Sequence, residues 1–554
     1  MGQPPDRRSI LRAGGALSLG ALAPPVLAAC GGPASATVPR SDTVSVLNKD
    51  TAIVRNFNPY SPSNHTGPMG RYIYEPPLWI PRLDPAKPQP WLASAFSWSR
   101  GGRELTLTLR KGVRFNDGSP LTLDDFVHSL DIPLKKPEFN TAGVTYTDVR
   151  ATGPDTVVLT FDKPAYQDLY ALGQLSVVSK RQLAGHDLAT WNNPDPVGTG
   201  PGRIAAFTTN QVRIRLRRGY WGGDAFPTRN LKFPSASEDT AKLLLLDGDL
   251  DFASIAWPSG QTNFVDRDPA QNLYSPLPSG TIAMIAFNHT KAPWNDIHVR
   301  RALSMAIDRS AVSRTVASGQ DPANLAGLAP EVYGSWLLPE YRRSQPLDVA
   351  GARRELAAGG WQIKGGNLVK DGRTHTVSMT SIADWPAYRI MSAATADQLR
   401  RHLGLNVNLQ LQVGATFDSH YNSGTFDIQY RLYSSGTLYQ FYNTLLDGQG
   451  MLPVGKIAAS NQMRWKNADT DRLLAAMRVT DDPKLIASYA ASLQKIFVEQ
   501  LPVVPVLWEC IWAVATRRYW TGWPTNRGIR HYFGFDAAAP EAILALKGLR
   551  RSTT

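Results

Sequence analysis

The chain has 554 residues, 43% of them hydrophobic and 19% charged, with a formal net charge of +13. That composition is globular and argues against disorder, and the length requires two or three domains rather than one core. So positive a chain points first to nucleic acid, but its Lys and Arg are scattered and no basic run is interleaved with aromatics, so no nucleic-acid partner is expected. A wall-facing or lipid-facing surface, or an acidic ligand, accounts for the charge equally well.

Residues 1–30 read as an export signal. Arg7-Arg8-Ser9-Ile10-Leu11-Arg12 resembles a twin-arginine motif, with Asp6 in place of the usual Ser or Thr and Ile10 where Phe is common. The apolar segment 13–29 is broken by Pro24-Pro25 and is too short to remain as a membrane span. Leu27-Ala28-Ala29-Cys30 matches a lipobox, whose small residues suit a signal peptidase and whose cysteine receives a diacylglycerol. Cys30 is therefore the predicted lipidation site, and 31–42 a flexible tether. That leaves Cys510 as a lone thiol in the apolar run 503–515, a packed core residue with no disulfide partner.

Folding starts near Thr43, with Val44 and Val46 alternating. Leu105, Leu107 and Leu109 alternate with Thr106, Thr108 and Arg110, a strand with one buried and one wet face. Asn116-Asp117-Gly118 supplies the residues a tight turn needs. Thr122 and Asp125 then form a capping box for a helix carrying Phe126, Val127 and Leu130. A strand is predicted over 155–161. Gly198-Thr199-Gly200-Pro201-Gly202 lacks the Gly-Lys-Ser/Thr close of a phosphate loop and reads as a turn. Val212, Ile214 and Leu216 alternate with Arg213, Arg215 and Arg217, a half-exposed strand. Asp247, Asp249 and Asp251 have the spacing of calcium ligands, but Phe252 and Pro258 stand where glycine and glutamate are needed, so a helix over 241–246 ending in Asp-Gly is the plainer reading.

A buried strand over 282–287 is followed by a break at Pro293 and a helix capped by Asp296, with Val299, Ala302, Leu303, Ala306 and Ile307 on one apolar stripe. Arg300, Arg301, Asp308 and Arg309 fall off that stripe. Helices follow over 352–358 and 393–403, the latter closed by Gly404, then a strand of alternating apolar residues over 405–413. Another strand starts at Phe426. The segment 430–442 reads as a recognition loop, with Tyr430, Tyr433, Tyr439, Phe441 and Tyr442 around Ser434-Ser435-Gly436. Pro483 sits in the first turn of a long helix. No HExxH, GxSxG or CxxC is present and no histidines fall at metal-ligand spacing, so no metal, cofactor or enzymatic activity is predicted. A secreted hydrolase on a lipid anchor is the competing class.

Several segments together resemble one family, the peptide-type (family 5) solute-binding proteins that serve ABC importers. They are the lipobox, the block 98–130, the Gly-Thr-Gly-Pro corner at 198–201, Asn288 with Pro293-Trp294-Asn295-Asp296 and Val299-Arg300-Arg301-Ala302-Leu303, and the return Pro502-Val503-Val504-Pro505-Val506. The resemblance implies an α/β fold, a two-lobed periplasmic-binding-protein-like clamp of class II type with an additional inserted domain in the first lobe. Lobe one would comprise 43–78, 201–284 and 505–554, the insertion 79–200, and lobe two 285–504. The implied function is capture of a small peptide or peptide-like solute outside the membrane by a monomer tethered through Cys30 to the outer face of the cytoplasmic membrane. The solute would pass to ABC permease subunits with cytoplasmic ATPases.

The same resemblance places the ligand against Tyr433, Ser434, Ser435 and Trp508, with Asn64 and His65 on the facing wall. Peptide binders usually carry, three residues after the aromatic at Tyr433, an aspartate that pairs with the peptide's ammonium; here that position is Gly436. A buried, unpartnered ammonium costs several kcal/mol, on the order of a thousandfold in affinity. Either Glu509, beside Trp508, substitutes, or the ligand has no free amine: a blocked or modified peptide, a glycan-linked peptide or another polar solute. On this reasoning Gly436→Asp should improve the binding of ordinary peptides.

Overall fold

In a computed structural model the described residues are 39–49, 53–61, 69–316, 319–434, 436–525 and 539–553. Two strands dominate it. Asn272–Phe287 and Val503–Thr516 pair antiparallel from Asn272 opposite Thr516 to Ala286 opposite Val503. The pairing slips between Pro278 and Ile282, where Gly280 takes φ +71° and the Ser279 hydroxyl donates to the Glu509 carbonyl at 2.7 Å. These strands belong to a six-stranded sheet completed by Phe252–Ala253 on one side and by Ile428–Tyr433, Val377–Ile382 and Val407–Gln412 on the other.

Alternation along 282–287 divides the second lobe into two cores, because successive side chains leave a strand on opposite faces. Ala283, Ile285 and Phe287 pack with residues of Ile297–Met305, Val349–Ala358 and Pro386–Leu403. Ile282, Met284 and Ala286 pack with Leu438–Leu446, Ala468–Arg478 and Pro483–Gln500. The first lobe is a four-stranded sheet in the order Thr43–Ser45, Asn230–Pro234, Gln211–Leu216, Gly202–Thr208, with Val212, Ile214 and Leu216 inward and Arg215 exposed. A separate sheet, in the order Ala93–Ser99, Glu104–Leu109, Thr156–Thr160, Asp148–Ala151, buries Leu105, Leu107 and Leu109 under the helix Leu123–Lys135. That helix carries the expected capping box, Thr122 and Asp125 satisfying each other's amides at 3.0 and 3.1 Å. At the Gly-Thr-Gly-Pro corner a Cβ on Gly198 or Gly200 would lie 2.0 Å from the Ile73 carbonyl oxygen or 2.4 Å from that of Tyr72, so only glycine lets these backbones meet.

Three expectations are corrected. The helix from Ile297 ends at Met305 and a new one, Arg309–Ser313, starts under the Asp308 cap. Arg300 and Arg309 are buried rather than on a wet face. Arg300 donates to the carbonyls of Trp294, Gln500 and Leu501 at 2.9 Å each, and Arg309 to those of Ser304 and Pro505. A guanidinium has five N–H donors, enough to satisfy the orphan carbonyls where helix ends and strand ends converge. The segment 430–442 is not a loop: a strand runs to Tyr433 and a helix starts at Leu438, so Tyr430, Tyr439, Phe441 and Tyr442 are buried. The Asp247 to Asp251 trio follows the helical reading: Glu238–Asp247 ends at Gly248 with φ +80°, and Asp251 engages Arg40 at 2.8 Å.

Candidate functional site

The three central strands of the large sheet set two of the expected ligand residues side by side. Tyr433 and Trp508 both register opposite Ile282, one on each flanking strand, so their side chains leave the same face. The Tyr433 hydroxyl donates to the carbonyl of Phe441 at 2.9 Å, and its ring meets the Phe441 ring edge-on at 5.2 Å. Trp508 is half-buried, and its amide donates to the Asp321 carbonyl at 2.7 Å. Ser434 is exposed. Asn64, His65, Ser435 and Cys30 lie outside the described residues.

Glu509, one residue on, leaves the opposite face of the strand. It is 8% exposed, and one carboxylate oxygen accepts from the Gln320 amide nitrogen at 2.6 Å. Burial pushes its carboxyl up to about 7, while Gln320 and the nearby Tyr388 hydroxyl pull it back. Tyr388 draws the carboxyl down without reaching hydrogen-bond geometry, and its hydroxyl and that of Tyr430 are both buried without a partner among the described residues. The structure thus separates Glu509 from Trp508.

Gly436 has a neighbour that the sequence did not suggest. A Cβ built on it would lie 1.6 Å from Cε2 of Tyr170, so the Tyr170 ring of the inserted sheet's domain occupies the space a side chain at 436 would need. A carboxylate in Gly436→Asp would have to displace that ring. Immediately beyond, a cavity of about 360 Å³ opens between the inserted domain and the second lobe, with Trp98, Tyr166 and Tyr170 on one wall and Trp336, Thr437 and Tyr439 on the other. This volume falls within the roughly 300–1,000 Å³ of small-molecule sites.

The two walls are also joined by polar contacts. Arg478 donates to Asp168 at 3.0 Å and the Gln167 amide donates to the Thr480 carbonyl at 3.3 Å, while Thr145, on the same side as Asp168, donates a short hydrogen bond that holds that carboxylate in place. The inserted domain is anchored to the first lobe at Glu75, fully buried, which accepts from Trp91 and Trp221 at 2.9 Å and from Tyr220 at 2.5 Å. Burial pushes this carboxyl up, and the hydrogen bonds from Tyr220, Trp221 and Trp91 pull it down. None of Asp168, Tyr170 or Arg478 was picked out from the sequence. The aromatic cluster read from the sequence was that of 430–442, and of its rings only Tyr439 lines the cavity. No group of acidic, histidine or cysteine residues suited to a metal ion occurs among the described residues, and no helix among them is long and apolar enough to cross a membrane.

Comparison with known proteins agrees with this architecture. The chain is 28% identical over 412 residues to Protein XP55 of Streptomyces lividans, covering 72% of this chain and 71% of that protein. It is 24% identical over 441 residues to the oligopeptide-binding protein AppA of Bacillus subtilis, covering 74% and 76%. Its fold matches the periplasmic oligopeptide-binding protein of an oligopeptide ABC transporter from Thermotoga maritima with TM-score 0.83 at 22% identity, covering 93% of this chain and all of that one. The mannohexaose-bound form of that protein matches with TM-score 0.76, also at 22% identity, covering 94% and 100%. The family described as bacterial extracellular solute-binding proteins, family 5, matches residues 87–451, more than half of the sequence. The two lobes, the paired crossing strands and this match lead to one conclusion: the chain belongs to the bacterial extracellular solute-binding proteins of family 5.

Proposed function

We propose that this protein is the lipid-anchored receptor of an ABC importer, holding a peptide-like solute between its lobes and delivering it to a permease. The supporting observation is the walled cavity, which lies beside Gly436 and is lined by none of Tyr433, Ser434, Gly436 and Trp508. In this reading its opposite sides belong to the insertion and to the second lobe, and the Asp168–Arg478 pair and the Tyr170–Gly436 contact link them. A ligand stabilises such a closed state only through contacts made to both sides at once. In this reading 43–78, 201–284 and 505–554 form lobe one, 79–200 the insertion and 285–504 lobe two. Tyr433, Ser434, Ser435, Gly436 and Trp508 face Asn64 and His65 across the cleft. The protein acts as a monomer outside the cytoplasmic membrane, held there by a lipid on Cys30, and performs no catalysis.

One observation favours a variant of this reading, in which the solute has no free amine. The place of the ammonium-pairing aspartate is Gly436 under Tyr170, and Glu509 faces away from Trp508. Titration with N-acetylated peptides should then change tryptophan fluorescence in the wild type and much less in Trp508→Leu. An equal response in the two proteins would remove Trp508 from the site. Micromolar binding of free-amine peptides, abolished by acetylation, would remove the amine-free variant.

A further inference from the structure

The first-lobe sheet carries basic side chains that capture of a solute does not use. On its strand Gln211–Leu216, Arg213 and Arg215 leave the face opposite the buried Val212, Ile214 and Leu216. Register then sets like charges side by side: Arg215 stands opposite Arg203, and Arg213 opposite Lys232. Arg203 and Arg215 are exposed, Arg213 and Lys232 partly buried. None of the four pairs with a carboxylate among the described residues, and Arg215 donates to the neutral Asn230 side chain at 2.8 Å. The carboxylates bordering this group are taken. Asp251, which accepts from the amide of Ser45 beside Lys232, binds Arg40 at 2.8 Å. Asp42 accepts from Asn230 at 3.3 Å and also from Arg551. Like charges directly opposed destabilise a sheet. Nothing among the described residues offsets two such pairs on one face; an anionic partner would.

The class of anion follows from what else the face offers. Phe207 and Phe233, on the flanking strands, turn to the core, so bases would find no ring to stack on and single-stranded nucleic acid is disfavoured. A site for one small anion needs convergent, enclosed donors, whereas these side chains stand apart on an open sheet. An extended anionic surface fits them, and the chain brings one near. Residues 31–42 alone separate Cys30 from Thr43, where the sheet begins, so an extended tether spans at most about 45 Å. Arg203 lies three strands across the sheet from Thr43, about 15 Å. We propose that this face rests on the anionic headgroups of the membrane that holds the lipid on Cys30, and so orients the first lobe. The choice of a bilayer rests on the lipid-anchor reading. Each basic residue at an anionic leaflet strengthens association about fivefold, and salt screens the attraction beyond about 10 Å. Four such side chains orient an anchored molecule; they do not hold a free one at cellular ionic strength.

The test is flotation of the unlipidated full chain, Cys30→Ala, with vesicles of equimolar phosphatidylglycerol and phosphatidylcholine, set against phosphatidylcholine alone. Binding to the anionic vesicles only is expected at low salt, and its loss at about 0.5 M salt. Arg203→Gln/Arg213→Gln/Arg215→Gln should weaken it at least about tenfold. Lys364→Gln/Arg373→Gln/Lys484→Gln, which removes the same charge from exposed second-lobe positions, should change it less than about twofold. Circular dichroism checks both folds; should the first variant misfold, Arg203→Gln alone, on the edge strand, should weaken binding about threefold or more. Equal loss in the two triple variants would reduce the effect to net charge and overturn the assignment to this face. Equal binding to both vesicles, or binding to neither, would overturn it too. Retention on polyphosphate without vesicle binding would overturn the bilayer in favour of another anionic polymer. Mass spectrometry of the wild type separates the two readings: an unmodified Cys30 overturns the anchor and with it the bilayer as partner, whereas a lipidated Cys30 without vesicle binding overturns this face alone.

Discussion

Glu509 shows how one buried carboxyl sets a pH dependence. Its folded pKa, pushed up to about 7 by burial, lies above that of an unfolded glutamate, so between about 4.5 and 7 the folded state holds more protons than the unfolded one. Stability is then greatest in acid, falls as pH rises through this window and levels off above it. Glu541, also pushed up to about 7 by burial, acts in the same direction. Each contributes up to about 3 kcal/mol across the window. Scanning calorimetry should show Tm falling from pH 4.5 to 7, with a shallower slope in Glu509→Gln; an unchanged slope would mean that the carboxyl is not enclosed as described. Gly436 carries a second residue-scale expectation. Because Tyr170 lies where a Cβ would go, Gly436→Ala should weaken binding of whatever solute co-purifies, and Tyr170→Ala in the same chain should restore most of it. A Gly436→Ala protein that binds as tightly as the wild type would exclude closure over that contact.

Among the elements, the two buried arginines carry the clearest energetic consequence. Burial lowers the pKa of Arg309 to about 10, still charged at neutral pH, and its donors go to carbonyls of the Ile297–Met305 helix end and of the second long strand. Arg309→Met keeps the volume but strands those acceptors, so urea titration should show a loss of at least about 2 kcal/mol. A neutral result would mean that water replaces the guanidinium. The sequence announced these elements more clearly than their surroundings. The strand at 105–109, the capping box at Thr122 and the Gly404 stop follow from local rules, because period, cap and left-handed glycine act within a few residues. The burial of Arg300 and Arg309 was hidden, because it depends on carbonyls about two hundred residues away that have no sequence signature. The aromatics of 430–442 misled for a related reason: composition resembling a recognition loop cannot show that Leu438–Leu446 turns its rings into a core. Likewise Tyr170 and Gly436, far apart in the chain, meet only through the packing of the inserted domain on the second lobe.

For the whole molecule, the attachment and the fold are separable. The proposed lipid anchor, Cys30, precedes the first-lobe sheet that starts at Thr43. A single acyl chain gives marginal membrane binding and two give stable anchoring. In cell fractionation Cys30→Ala should move the protein from the membrane to the soluble fraction with its circular dichroism and solute binding intact; retention in the membrane would place the anchor elsewhere.

The paired strands Asn272–Phe287 and Val503–Thr516 also make the two lobes one thermodynamic unit. Each lobe contributes strands to a single sheet, and the ladder between the two long strands continues past the slip at Ser279–Thr281. Melting one lobe therefore strips hydrogen-bond partners from the other, so heating should give one cooperative transition rather than two. The same continuity sets a rule for dissecting the protein. A fragment cut within both long strands leaves Ile428–Tyr433 as an uncovered edge, its amides and carbonyls open to another chain, and such a fragment should aggregate more readily than the intact chain.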